Sequence, residues 1–230
     1  MTTLCAVTHD RAERAVLARI AHRLATGENR HDRIDTVLEE EYQPRRVLPH
    51  HLRKPAPEEA PFSYSIREAV PEDLPSVREI YNYYVTNSTV TFDDKPMTLR
   101  AWRTKYEHIR KAGMPFLVAE SPSGQILGYT LVSPWSAKAG YRYTVENSIY
   151  LGPAARGKGL GTPLLKALLE ACRAAGIREV IAVIADQGAD ASIAMHAKLG
   201  FKEVGRMGRV GFKFDRWLGT VTMQLSLRKK

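Results

Sequence analysis

Apolar residues recur along this chain at helical spacing first, and at both helical and strand spacing later. Between Thr8 and about Ala25, Ala12, Ala15, Val16, Ile20, Ala21 and Leu24 fall on one side of a helix, and Gly27 is a suitable stop. A shorter helix is expected from His31 to about Tyr42, with Ile34, Val37 and Leu38 on one side. Pro44, Pro49, Pro55, Pro57 and Pro61 then interrupt regular structure, so residues 43–62 read as a linker and residues 1–42 as a helical extension.

From Ser63 strands and helices alternate. Tyr64 to Arg67 reads as a strand, and Pro71 to Asn87 as a helix with acidic residues in its first turn. Strands follow at Phe116 to Glu120 and Ile126 to Val132, joined across Ser121-Pro122-Ser123-Gly124, a sequence suited to a hairpin turn. A further strand ends at Ser148-Ile149-Tyr150-Leu151. After a glycine-rich loop comes a helix from Thr162 to about Ala175, whose Leu164, Leu165, Leu168, Leu169 and Cys172 share a face. A strand at Val180 to Ile184, a helix at Ala191 to Leu199 and strands near Phe201 to Arg206 and Thr220 to Leu227 complete the pattern. Residues 63–230 are therefore expected to form an α+β domain, a central mixed sheet covered by helices.

Composition narrows the function. The 230 residues are 44% hydrophobic, enough for one substantial core, and no apolar run reaches the roughly 18 residues of a membrane helix. Cys5 and Cys172 are the only cysteines, which argues against a disulfide framework, excludes a cysteine metal site and fits a reducing cytoplasm. The first sixty residues balance ten basic against ten acidic side chains, so the net charge of +9 belongs to the remainder. A basic field attracts any polyanion. No groove-reading motif accompanies it, so a small phosphorylated ligand is expected in preference to nucleic acid.

The glycine loop offers a place for such a ligand. Gly157, Gly159 and Gly161 lie at a strand-to-helix junction, where backbone N–H groups can approach phosphate oxygens and the helix dipole favours an anion. Arg156 and Lys158 add charge. The loop lacks the Gly-Lys-Ser/Thr ending of a nucleotide P-loop, and no acidic residue clearly closes the next strand as dinucleotide binding requires.

Arg156-Gly157-Lys158-Gly159-Leu160-Gly161 is similar to the Gln/Arg-x-x-Gly-x-Gly/Ala signature of the GNAT superfamily of acyltransferases. Ser88 to Phe92, Pro134-Trp135, Tyr141, Thr144 to Tyr150, Ser192 to His196, Leu199 to Phe201, Gly211 to Lys213 and Trp217 extend the resemblance. Together they make residues 63 to 227 look like the phosphinothricin and methionine sulfoximine N-acetyltransferase branch. The resemblance implies a GNAT-like sheet, acetyl-CoA as co-substrate, direct acetyl transfer to an amine in a ternary complex, and a homodimer. It implies no metal.

The resemblance also distributes roles. Glu146 is the first candidate base for the amine, with His196 the second candidate for proton transfer. Ile149, Tyr150 and Leu151 are expected to present backbone groups to the pantetheine arm, the Leu151 N–H serving as an oxyanion donor. Arg156, Gly157, Lys158, Gly159, Leu160, Gly161 and Thr162 are expected to hold the pyrophosphate. Phe92, Trp135, Lys138, Tyr141, Arg142 and Lys213 are the candidates for the acceptor side, with Phe212 and Trp217 nearby. The chain departs from its family at Ser136, where lysine is common, at Lys138, where arginine is common, and at Ala189, where asparagine is common. Lysine lacks the planar fork of arginine, so bidentate carboxylate recognition is weakened there. The expected activity is N-acetylation of a small amino acid or analogue, giving detoxification or resistance. An acetyltransferase for a polyamine or protein terminus, and a non-catalytic acyl-CoA sensor, remain as alternatives.

Overall fold

A computed structural model describes residues 62–227. The helices expected over 8–25 and 31–42 and nearly all of the linker 43–62 lie outside the described residues. The elements are β1 (Ser65–Glu68), α1 (Leu74–Asn87), α2 (Leu99–Lys111), β2 (Phe116–Glu120), β3 (Ile126–Pro134), β4 (Thr144–Leu151), α3 (Gly161–Ala174), β5 (Glu179–Ala185), α4 (Asp190–Lys198), β6 (Lys202–Lys213) and β7 (Arg216–Ser226). The strands form one sheet in the order β1-β2-β3-β4-β5-β7-β6. Every neighbouring pair is antiparallel except β4 and β5. This is the mixed sheet the sequence predicts.

Each face of the sheet has its own core. On one, Leu74, Val77 and Ile80 of α1 and Trp102, Tyr106 and Ile109 of α2 cover Phe116, Val118, Tyr129 and Leu131. On the other, Leu164, Leu165, Leu168 and Cys172 of α3 cover Val132, Val145, Val180 and Ala182. A fully buried side chain of this size contributes about 1.5–3 kcal/mol, so the two helical layers fix the strands between them. Burial pushes the Cys172 thiol up to about 12, which keeps it neutral and inert. At the edge, the Arg67 guanidinium holds both Asp73 oxygens, at 2.7 and 2.9 Å, and Glu120 at 2.6 Å. Burial acts to raise the Asp73 carboxyl, but Arg67 and the Val70 N–H together hold it below its usual range.

Two features differ from the sequence reading. Helix α2 occupies a stretch to which no element was assigned, because only Leu99, Trp102, Tyr106 and Ile109 mark its inner side amid charged residues. Thr98 caps it, its side chain accepting from the Ala101 N–H at 3.2 Å. Strands β6 and β7 are longer than expected and join in a two-residue turn at Phe214 and Asp215, whose φ values of 49° and 57° match the twist of a tight hairpin. The strand expected from Phe201 to Arg206 runs on to Lys213 through two register shifts, between Glu203 and Gly205 and between Met207 and Gly211. Among the described residues no helix is long and apolar enough to cross a membrane.

Candidate acetyl-transfer site

The site originates where β4 and β5 part. They pair only from Thr144↔Glu179 to Glu146↔Ile181. Beyond that point β4 stays with β3 as far as Leu151↔Gly128, while β5 stays with β7 as far as Ala185↔Thr220. A cleft of about 580 Å³ opens between them, lined by Asn147 to Leu151 on one wall and Ala182 to Ile184 on the other. The backbone on its β4 wall is free for a ligand. The Gly152 N–H donates to Leu127 O, and strand alternation then turns the N–H and C=O groups of Ile149 and Leu151 away from β3 and toward the gap, the N–H of Asn147 being taken by the last step of the β4–β5 ladder. Of these, Leu151 O accepts from the Tyr84 hydroxyl at 2.7 Å, which ties α1 to the end of β4.

The glycine loop closes one end. Gly157 and Gly159 have φ values of 71° and 79°, a conformation that only glycine adopts without strain. Gly161 has a different role, because a Cβ there would lie 2.9 Å from the Met195 sulfur and 3.7 Å from Leu151 Cδ1. Its absence lets α3 begin directly against α4 and β4. No side chain caps that helix, so its first N–H groups remain available for an anion. Arg156 stacks over Tyr83 and Tyr84, at 4.6 and 4.9 Å from the ring centres. Arg156, Gly157 and Gly161 line the cleft together with Ile149, Tyr150 and Leu151. Lys158, Gly159, Leu160 and Thr162 do not: Leu160 is buried in the core, and Lys158 lies 5.1 Å over Phe62.

Glu146 and His196 both border the cleft but act on different faces of the sheet. Val145, Asn147 and Ile149 point toward α3 and α4, whereas Glu146, Ser148 and Tyr150 point toward α1 and α2. Glu146 is half-buried where the strands diverge, and burial raises its carboxyl, with the Lys105 charge opposing the shift. No described residue hydrogen-bonds or ion-pairs with it. Beside it, the Tyr150 hydroxyl is pushed up to about 12 by burial and stays protonated.

His196 is 1% exposed. Its Nδ1 lies 2.8 Å from Ser192 O, which can only accept, so Nδ1 carries the hydrogen. Nε2 then accepts from the Asn147 amide at 3.1 Å. Burial lowers the imidazole's affinity for a proton, with the Ser192 carbonyl opposing. The ring is thus a neutral strut with both nitrogens engaged. It leaves Asn147 Oδ1 buried with no partner among the described residues.

The acceptor-side candidates are not brought to this cleft. Trp135, Lys138, Tyr141 and Arg142 belong to the loop after β3; Trp135 and Tyr141 are exposed, and Arg142 stacks on Tyr143 and donates to Ala139 O. Lys213 is buried, its amine donating to Ser88 O and Thr91 O at 2.8 Å each. It clamps the segment after α1 onto β6. Phe92 packs over Gly211, where a Cβ would come within 2.3 Å of the ring. Ala189 precedes α4 without a capping side chain. Asn147, Tyr84 and Met195 also line the cleft; Asn147 and Met195 fall in segments that carry the resemblance, whereas nothing in the sequence singles out Tyr84. Among the described residues no group of three or more His, Cys, Asp or Glu is gathered for a metal.

Comparison with known proteins agrees with this geometry. The Acetyltransferase (GNAT) family matches residues 77–201. An L-methionine sulfoximine/L-methionine sulfone acetyltransferase of Pseudomonas aeruginosa is 42% identical over 166 residues, which span 72% of this chain and 96% of that protein. Among solved structures, the Salmonella typhimurium acetyltransferase homologue yncA with its cofactor acetyl-CoA superposes with a TM-score of 0.70 at 38% identity, covering 74% of this chain and 96% of the other. A GNAT superfamily phosphinothricin acetyltransferase from Sinorhizobium meliloti in complex with acetyl-CoA gives 0.68 at 41% identity, covering 72% and 89%.

Proposed function

The chain belongs to the Acetyltransferase (GNAT) family and uses acetyl-CoA; we propose that its acceptor is the α-amine of a small amino acid or analogue of the methionine sulfoximine or phosphinothricin type. The observation that carries the reading is Glu146, a half-buried carboxylate with a raised proton affinity, set where the cleft opens. An ammonium group has no lone pair to attack with, and a carboxylate in that environment is suited to take its proton, directly or through a water.

The cleft fits the co-substrate on its own features: a β4 edge with free backbone groups, two left-handed glycines and an uncapped helix start. When bound, acetyl-CoA supplies the acetyl thioester. The amine nitrogen forms a bond to the thioester carbonyl carbon, the C–S bond breaks, and the departing thiolate takes up the second proton that the nitrogen loses. Glu146 holds the proton removed from the amine, and an N–H of the free β4 edge, where Ile149 lies nearer to Glu146 than Leu151 does, donates to the carbonyl oxygen as it gains charge. Arg156 and the α3 N–H groups hold the pyrophosphate. His196 supports this wall by fixing Asn147. Cys172 is buried in the core, so no described thiol is positioned to carry an acyl group, which favours direct transfer in a ternary complex.

Release of free thiol from acetyl-CoA, followed over methionine sulfoximine, phosphinothricin, ordinary amino acids, a polyamine and a peptide, tests the assignment. Turnover confined to α-amino acids and their analogues is expected; silence across them would sink it. We further propose a homodimer, because Val204, Met207, Val210, Phe212, Phe214 and Trp217 expose a row of large apolar side chains along the β6–β7 hairpin. Sedimentation of a monomer alone at micromolar concentration would exclude that.

A further inference from the structure

Glu146 stands beside two hollows that share no lining residue. One is the cleft between β4 and β5. The other, of about 530 Å³, runs along α2 and is lined in part by Thr98, Arg100, Thr104, Lys105, His108 and Ser133. No carboxylate lines it; its ionisable side chains are all basic. Ser133 links the two, because it pairs directly with Glu146 across β3 and β4, and strand alternation puts both side chains on the face covered by α1 and α2.

Lys105 reaches this place from α2. Its amine lies 5.2 Å from the centre of the Trp102 ring and is half-buried within the fields of Asp93 and Glu146. Among the described residues, no hydrogen-bond acceptor and no carboxylate within 4.0 Å engages it. A half-buried ammonium without a partner is unfavourable, and an anion in the hollow would relieve it. The cations expected from the sequence to meet an acid group, Lys138 and Arg142, line neither hollow.

We propose that Lys105 is a specificity-determining residue that holds the acid group of the acceptor: with its amine at Glu146, the substrate extends its carboxylate past Ser133 into the basic hollow beside α2. This rests on the α-amino acid reading above. Selection for an amine bearing a nearby acid then arises from α2, a helix that contributes no residue to the lining of the cleft.

The experiment compares wild type with Lys105→Met on methionine sulfoximine and on its carboxamide, which differs only at the acid group. It is run well above the pH at which Glu146 titrates, because losing the Lys105 charge also raises the Glu146 carboxyl and slows both acceptors alike. The KM for the acid is expected to rise by about tenfold or more, with the KM values for the amide and for acetyl-CoA unchanged. Lys105→Arg, which keeps the charge, is expected to restore most of the preference for the acid. Equal losses on acid and amide, or an unmoved KM for the acid, would overturn the assignment. Lys105→Gln serves if the methionine variant does not fold. A wild-type enzyme silent on every α-amino acid removes the underlying reading and this inference with it, whereas an active one whose preference survives in Lys105→Met removes this inference alone.

Discussion

A carboxylate serves as base for an amine only if water does not hold its charge too well and nothing else claims its oxygens. Glu146 meets both conditions, which leads to a kinetic expectation. Glu146→Gln should lower kcat by roughly a hundredfold, the usual scale for a lost general base, with acetyl-CoA affinity little changed. Because the base works only when ionised, activity should fall as pH drops through a value above the ordinary 4.5 of a glutamate. A pH–rate profile whose acid limb persists unchanged in the variant would assign that limb elsewhere. His196 yields a stability expectation of definite sign. In the unfolded chain the imidazole gains a proton near 6.5, but in the folded protein only at lower pH. Between those values the unfolded state binds more protons, so stability falls as pH drops below about 6.5 and levels off below the folded value. From pH 7.5 to 5 the melting temperature of wild type should fall relative to that of His196→Asn, narrowing the advantage the wild type holds at pH 7.5; parallel curves would mean that the ring is not held neutral. The sequence names both residues as candidates. That they border opposite faces of β4 is not legible there, because it depends on strand parity, and Lys105 carries no signal until Ser133 and Glu146 are seen across from it.

Helix α2 shows why some elements stay hidden. Its inner side rests on Leu99, Trp102, Tyr106 and Ile109, while mostly polar and charged residues fill the remainder, so the apolar signal is thin although the three larger anchors are deep. Trp102 is 1% exposed and meets Tyr81, Phe116 and Tyr129 with ring centres between 5.6 and 6.3 Å. Trp102→Ala should therefore cost about 3–5 kcal/mol in urea unfolding, the range for removing a buried aromatic. The ring's N–H is buried without a partner among the described residues, so Trp102→Phe should cost much less. An equal loss for both would point to shape, not volume, as what the site requires. The glycine loop is the opposite case. Its three glycines announced an anion site, and the structure separates them by cause: backbone conformation at Gly157 and Gly159, close approach of two helices and a strand at Gly161.

For the whole molecule, the mixed sheet and the order of helices could be read from periodicity, but not the parting of β4 from β5, which arises from competition between their outer neighbours. β3 draws β4 one way through seven paired residues, and β7 draws β5 the other through seven. The residues of both cores, of the cleft lining and of the glycine loop all fall within 62–227, the described part of the chain. The Pseudomonas aeruginosa relative matches over 166 residues that make up 96% of its own length, so a chain of that size suffices for the same fold. A protein beginning at residue 62 should accordingly stay folded and retain a kcat/KM for acetyl-CoA within about threefold of the full chain. Circular dichroism and the thiol-release assay check the two halves of that expectation separately. A folded but inactive product would mean that the first sixty-one residues contribute to activity, and an insoluble one that the domain needs them to fold or stay in solution.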